Sequence, residues 1–207
     1  MLTIIDYGAG NLRSVYMAFR RLGLEARITG KADEIRRADV LVLPGVGAFG
    51  DCIGKVRYLG LEPAITAAIA DGKPFLGICV GLQLLFEVSE EMGEYRGLGV
   101  LPGRVRRFPQ GLTVPHMGWN QIHQQKATPL WRGVPDGSYV YFVHSYYAEA
   151  YDPACVAATT DYGLDYCSAV ARDNLFAIQF HPEKSQDVGE RILRNFAVQA
   201  GLLEDGA

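Results

Sequence analysis

The five residues Gly77-Ile78-Cys79-Val80-Gly81 are the stretch of this chain best suited to covalent chemistry. They follow the apolar run Pro74-Phe75-Leu76 and precede a stretch of helical character, Leu82-Gln83-Leu84-Leu85-Phe86-Glu87. A G-x-C-x-G where a strand passes into a helix is the cysteine form of a nucleophile elbow. The flanking glycines let the backbone bend sharply and leave the sulfur standing free at the carboxyl end of the strand. A helix that starts there points its N-terminus at the sulfur and favours the thiolate, the reactive form. A lone cysteine at the end of an apolar strand also reads as a small buried core residue. The rest of the chain has to decide between the two.

A base for that thiol is offered by Phe176-Ala177-Ile178-Gln179-Phe180-His181-Pro182-Glu183. Imidazole is the side chain whose ordinary pKa suits proton transfer near neutrality. It needs a partner to hold its tautomer and to stabilise the imidazolium. In extended backbone, residues two apart share a side. Glu183 can therefore reach back to one nitrogen of His181 while the other faces Cys79. Pro182 removes a backbone donor between them and stiffens the turn.

Those three side chains must be delivered by a scaffold, and composition sets its frame. The 207 residues suffice for one domain, 1–207, with a substantial core. The net charge of −3 excludes a general attraction to nucleic acid or to anionic membrane. Charge, glycine or proline interrupts every apolar stretch before about 18 residues, so neither a membrane span nor a signal segment is expected. Cys52, Cys79, Cys155 and Cys167 form no C-x-x-C pair and no zinc spacing. They read as reduced thiols of a cytoplasmic protein, with no metal site and no cofactor motif.

The first half alternates strand and helix patterns. Leu2–Ile5 is a buried-strand run leading into Asp6-Tyr7-Gly8-Ala9-Gly10-Asn11. Leu12, Val15, Tyr16, Phe19 and Leu22 then line one helical face, and Gly23 ends it. Ala26–Thr29 reads as a strand, Ala32–Ala38 as a short helix and Val40–Leu43 as a third strand, entering the loop Pro44–Asp51. Glu62–Ala70 is helical, and Asp71-Gly72 closes it before the strand that ends at Cys79. Such βαβ repetition implies a mostly parallel sheet with helices on both faces and reactive groups at the carboxyl ends of the strands. The second half is rich in strands: Gly99–Val105, Ser138–Ala148, Ala154–Thr160, Tyr166–Arg172 and Leu175–Phe180, with mixed or antiparallel pairing. A terminal helix is expected from about Ser185 to Gln199.

With these residues together, the chain resembles the class I (triad) glutamine amidotransferases over essentially its whole length. Gly77-Ile78-Cys79-Val80-Gly81-Leu82-Gln83 and Phe180-His181-Pro182-Glu183 match the class motifs. Within the class, the closest resemblance is to the family of glutaminase subunits of imidazole glycerol phosphate synthases, enzymes of histidine biosynthesis. It is carried by Asp6–Asn11, by Pro44-Gly45-Val46-Gly47 where most class members have a G-G-type loop, by His116-Met117-Gly118-Trp119-Asn120, and by Tyr141–Tyr147. Val80 stands where that family often has leucine, a departure of little consequence because only its backbone N–H is used.

The resemblance implies a flavodoxin-like α/β fold and a defined chemistry. Cys79 attacks the side-chain amide of glutamine, giving a tetrahedral oxyanion, then a γ-glutamyl thioester and ammonia. His181 protonates the leaving ammonia and later activates water. The backbone N–H groups of Val80 and Val46 are the implied oxyanion donors, the latter reorienting when a partner engages. Gly47, Gln83, Glu91, Ser145 and Tyr146 are the implied glutamine-binding set. Two readings of Glu91 stand: a partner for the substrate ammonium, or a solvated carboxylate in the charged stretch Glu87–Glu94. The implied partner is a (βα)8-barrel cyclase that takes up the ammonia, forming a heterodimer through Asn11, Trp119, Asn120 and Tyr141. His116, His123 and His144 lack metal spacing and read as structural or interfacial. The alternatives are a glutaminase subunit of another class I enzyme, a stand-alone cysteine hydrolase, or a scaffold subunit without catalysis.

Overall fold

Strands that are apolar on both faces set the centre of the molecule, because such strands are stable only where something covers each side. The computed structural model describes residues 1–205. Its elements begin with β1 (Leu2–Ile5), α1 (Leu12–Arg21), β2 (Ala26–Thr29), α2 (Ala32–Arg37), β3 (Val40–Gly45), α3 (Phe49–Tyr58), α4 (Glu62–Ala70) and β4 (Phe75–Cys79). A single helical turn, α5 (Val80–Gln83), leads to β5 (Phe86–Ser89), β6 (Tyr95–Arg96) and β7 (Leu101–Arg107). Then come β8 (His116–Gln121), β9 (His123–Gln124), β10 (Tyr139–His144), β11 (Tyr146–Ala150), β12 (Val156–Asp161), β13 (Asp165–Arg172), β14 (Leu175–Ile178) and α6 (Gln186–Gln199). Every residue of β1, β3, β4 and β14 is buried. Val15, Ala18 and Phe19 of α1 and Ile192, Leu193 and Phe196 of α6 are buried with them.

The main sheet runs β2-β1-β3-β4-β14-β13-β11-β7-β5-β6, with β12 and β9 branching from β13. From β2 to β14 the pairing is parallel. Beyond β14 it becomes antiparallel through β13, β11 and β7. The strand-rich half thus returns one strand, β14, to the parallel core beside β4, with Ile178 opposite Ile78. On the other side of β4, Gly45 lies opposite Cys79. The Pro44–Gly47 loop, Cys79 and the segment that leads to His181 therefore leave the sheet at the same end. A separate antiparallel ribbon of β8 and β10 stands beside that end, with Tyr141 opposite Trp119 and His144 opposite His116.

Three expectations are corrected. The helix expected over Leu82–Glu87 is only the turn Val80–Gln83, and Phe86–Ser89 is a strand paired with β7. Leu84, Leu85 and Phe86 are fully buried, and a short run buried on all sides carries no period that separates helix from strand. The single strand expected over Ser138–Ala148 is two, broken at Ser145, because Tyr139–His144 belongs to the ribbon and Tyr146–Ala150 to the main sheet. The loop expected to Asp51 gives way to α3 already at Phe49.

The sharp turn at Cys79 is held by backbone packed on backbone. Cys79 adopts φ +55, a conformation that costs a non-glycine residue about 1–3 kcal/mol and persists only where its surroundings impose it. A Cβ on Gly81 would collide with the Leu43 carbonyl oxygen, and one on Gly45 would lie 2.8 Å from the Gly81 nitrogen. α5 can therefore sit directly against the end of β3. We expect Gly81→Ala to lower unfolding stability by about 3 kcal/mol or more. Gly54→Ala on α3, where a Cβ meets nothing within 4 Å, should instead stabilise by about 0.5–1 kcal/mol. Urea unfolding of the two variants measures both.

Candidate active site

Cys79, His181 and Glu183 converge although they come from distant parts of the sequence, Cys79 from the end of β4 and the other two from the segment after β14. His181 follows β14 and is anchored by its N–H, which donates to the Tyr141 carbonyl at 2.9 Å. The Ser185 hydroxyl donates to the His181 carbonyl at 2.6 Å. Nδ1 of His181 donates to Oε1 of Glu183 at 2.8 Å. Glu183 reaches back from the 3-10 turn Pro182–Lys184, rather than along extended backbone as the spacing suggested. Both side chains are buried, and Asn11 donates to the same Glu183 oxygen at 3.3 Å. The other ring nitrogen of His181, Nε2, is buried and unpaired among the described residues. Burial opposes charge on this imidazole. The interactions with Cys79 and Glu183 outweigh it and raise its pKa to about 10.

A cavity of about 310 Å³ opens over these groups, of a size suited to a small metabolite. Its wall includes Cys79, Val80 and His181 together with Val46, Gly47, Gln83, Glu91, Ser145 and Tyr146. All the residues expected at the site thus face one space, except Glu183, which lies behind His181. Pro115, Val143, His144 and Lys184 complete the lining.

The wall is organised by hydrogen bonds that the sequence pattern does not reveal. Glu91 accepts from the Phe49 N–H at 2.7 Å, and burial pushes its pKa up from the ordinary carboxylate value; it stands half-buried in the cavity wall. The Pro44–Gly47 loop is tied from beneath, where the Tyr7 hydroxyl donates to the Pro44 carbonyl at 3.0 Å and the Cys52 thiol to the Val46 carbonyl at 3.5 Å. Gln83 spends both amide hydrogens internally, on the Tyr146 carbonyl at 2.9 Å and on Gln179 Oε1 at 3.1 Å. Gln179 in turn lies 3.7 Å from the Cys79 sulfur. Sequence reasoning passed over Gln179; its signal is a polar residue inside the apolar run Phe176–Phe180.

The residues expected at a partner face divide. Trp119 is half-exposed on the ribbon with its ring 6.1 Å from that of Tyr141, and Lys184 lies 5.7 Å from the Tyr141 ring centre. Asn11 and Asn120 are half-buried and spend their side-chain NH2 groups within the chain, Asn11 on Glu183 and Asn120 on the Asp161 carbonyl and His116 Nε2.

A family model described as "Glutamine amidotransferase class-I" matches residues 3–200. The chain belongs to the class-I glutamine amidotransferases. It is 55% identical over 203 residues to an "Imidazole glycerol phosphate synthase subunit HisH" from Syntrophotalea carbinolica, covering 95% of this chain and 98% of that one. The protein of the same name from Geobacter metallireducens is 52% identical, with 95% and 97% covered, and that from Rhodopirellula baltica 54%, with 95% and 97%. Among solved structures, the chain is similar in fold to "Structure of PurLQS from Thermotoga maritima", with a TM-score of 0.77 at 20% identity over 96% of this chain and 97% of that one. A "Crystal structure of glutamine amidotransferase" gives a TM-score of 0.76 at 22% identity over 97% and 100%.

The amidotransferase fold also holds two neutral histidines near the site. The Tyr146 carbonyl can only accept, so His144 Nδ1 at 2.8 Å carries a proton. Tyr166 then donates to His144 Nε2 at 3.2 Å and receives from His116 Nδ1 at 3.2 Å, while Asn120 donates to His116 Nε2 at 3.3 Å. Burial holds the pKa of His116 down to about 4 and that of His144 to about 3. Groups held below their unfolded value stabilise the fold above about pH 6.5, and that contribution is lost as pH falls toward the folded values. We therefore expect stability in urea to decline from pH 6.5 to pH 4, with the His116 and His144 ring resonances still neutral in NMR spectra at pH 5.

Proposed function

We propose that this chain is the glutamine-hydrolysing subunit of an imidazole glycerol phosphate synthase. The observation that carries the reading is the placement of Cys79 and His181 in the wall of one cavity, with Glu183 bonded to His181 from behind. It occurs in a chain 50% or more identical to three subunits of that name across nearly their full length. Glutamine enters with its side-chain amide over Cys79. His181 takes the thiol proton, and the thiolate adds to the amide carbon. The N–H of Val80 and that of Val46 receive the oxyanion; one such donor is worth on the order of 10²–10³ in rate. Collapse breaks the C–N bond as His181 gives its proton to the amide nitrogen, which releases ammonia and leaves a γ-glutamyl thioester. Water activated by His181 then releases glutamate, while Glu183 keeps the imidazole oriented.

Gly47, Gln83, Glu91, Ser145 and Tyr146 hold the amino-acid end of glutamine. Because the nitrogen of Gln83 is already committed, its Oε1 is the atom left to accept from the substrate ammonium. Ammonia is delivered to a (βα)8-barrel cyclase subunit, which completes imidazole glycerol phosphate and releases aminoimidazole carboxamide ribonucleotide. The docking face is the ribbon side with Trp119, Tyr141 and the Asn11 loop. That choice is supported by the half-exposed Trp119 and by the backbone bond from His181 to Tyr141, which joins the ribbon to the catalytic turn. A partner pressing on the ribbon and the Asn11 loop reorients the Val46 peptide and completes the oxyanion site.

The direct test is Cys79→Ala in complex with a cyclase subunit. Glutamine-dependent synthesis should fall by on the order of 10³ or more, while synthesis driven by added ammonium salt at raised pH persists. Loss of both would overturn the assignment of Cys79 to glutamine hydrolysis alone. The isolated chain should hydrolyse glutamine slowly, and cyclase with its nucleotide ligand should raise kcat by about 10²–10³ with a smaller change in KM, because the added donor acts in the transition state. Val46→Pro should largely cancel that stimulation. A stimulation confined to KM would place the partner's effect on glutamine binding.

A further inference from the structure

The helix that the motif led one to expect behind Cys79 is a single turn, so its dipole offers the sulfur little. A different donor reaches it. Gln179 is fully buried, and its backbone N–H is fixed to the Ser168 carbonyl at 2.9 Å. Its side chain lies between Gln83 and Cys79. Which end of that amide meets the sulfur is settled by the chain of bonds. The Tyr146 carbonyl accepts from His144 Nδ1 at 2.8 Å and from Gln83 Nε2 at 2.9 Å, so both of its lone pairs are engaged. A carbonyl cannot donate, so the Gln83 atom against it is the NH2 group. The second hydrogen of that group points at Gln179, which must therefore present its oxygen there, 3.1 Å away. The NH2 of Gln179 is left facing Cys79 Sγ at 3.7 Å. Turning the Gln179 amide over would set NH2 against NH2 and an oxygen lone pair against the sulfur.

We propose that Gln179 is the side-chain donor that stabilises the Cys79 thiolate, and that Gln83 is the positioning residue that dictates which way its amide faces. The reading rests on Cys79 as the nucleophile. The step served is the transfer of the thiol proton from Sγ to Nε2 of His181, which leaves a thiolate beside an imidazolium; no other bond changes. A donor favours the thiolate over the thiol, and a hydrogen bond to a charged group corresponds to about one order of magnitude in that equilibrium. Gln83 thereby has a second role beside contact with substrate. The nucleophile, the glutamine pocket and the His144–Tyr166–His116 chain meet at a single carbonyl, that of Tyr146.

The test is the pH dependence of iodoacetamide labelling of the full chain. Burial raises the thiol pKa of Cys52, Cys155 and Cys167, so labelling near neutrality reports on Cys79. In Gln179→Met the labelling rate at pH 7 should fall about tenfold and recover toward the wild-type plateau at high pH. The near-isosteric Gln179→Glu, which keeps an acceptor for Gln83 but turns oxygen toward the sulfur, should fall further. A folded Gln179→Met labelled at the wild-type rate at pH 7, or slowed equally at every pH, would overturn the proposal. If neither variant folds, the wild-type Gln179 side-chain NH2 resonances decide it. They should shift with pH in step with Cys79 labelling and cease to do so in Cys79→Ala, and resonances that ignore the thiol overturn it. Labelling that persists in Cys79→Ser, or glutamine hydrolysis that survives that change, would instead remove Cys79 as the nucleophile.

Discussion

Backbone pressed against backbone at the end of the central strands is the constraint from which the rest of the site follows. Cys79 can take its strained φ only because α5 turns back at once over β3, and α5 can do so only because Gly45 and Gly81 leave no Cβ between the two segments. The strain is of the size of one or two ordinary stabilising contacts. It is held by the fully buried strands around it, whose apolar side chains have no alternative place in water. In the proposed reaction a rigid elbow matters because displacing a nucleophile by about an ångström from attack geometry removes much of the advantage of holding it there.

Around that elbow the polar groups are arranged in one direction. A buried polar network is stable when each donor meets an acceptor, and it then admits a single arrangement of protons. From Asn120 through His116, Tyr166 and His144 to the Tyr146 carbonyl, each group donates to the next. From Gln83 through Gln179 the same carbonyl is connected to the Cys79 sulfur. The two neutral histidines act here as oriented amide-like groups, in contrast to His181, whose neighbours favour its charge. Chemically identical side chains thus take opposite roles, chiefly through burial in one case and through a buried carboxylate and thiol in the other.

The ribbon of β8 and β10 is the second architectural decision. Its outer surface carries Trp119 and Tyr139, while His116 and His144 lie within the aromatic cluster of Phe108, Phe142 and Tyr166. Its backbone is bonded to His181 and Ser185. Tyr139 therefore lies on the strand whose next bonds lead to the turn that carries His181 and Glu183, and Trp119 on the strand paired with it.

Much of this was already determined by the amino-acid sequence. Glycine spacing around Cys79, apolar runs of strand length and a histidine two residues before a glutamate specify local geometry, and local geometry is what short-range patterns encode. The parallel half of the sheet, α1 and α6 were legible for the same reason. Tertiary structure alone decided the rest. Leu84-Leu85-Phe86 became the entry to a strand because β7 lies ready to pair with it, a contact without any local signature. Ser145 became a corner because two different sheets claim the strands on either side. Asn11 and Asn120 were drawn to a buried carboxylate and a buried imidazole that each accept a hydrogen bond from them. Gln179 acquired the sulfur as a neighbour only when β14 lay down beside β4, and hydrogen-bond direction, set by which groups can only accept, is a property of the assembled network and not of any one residue.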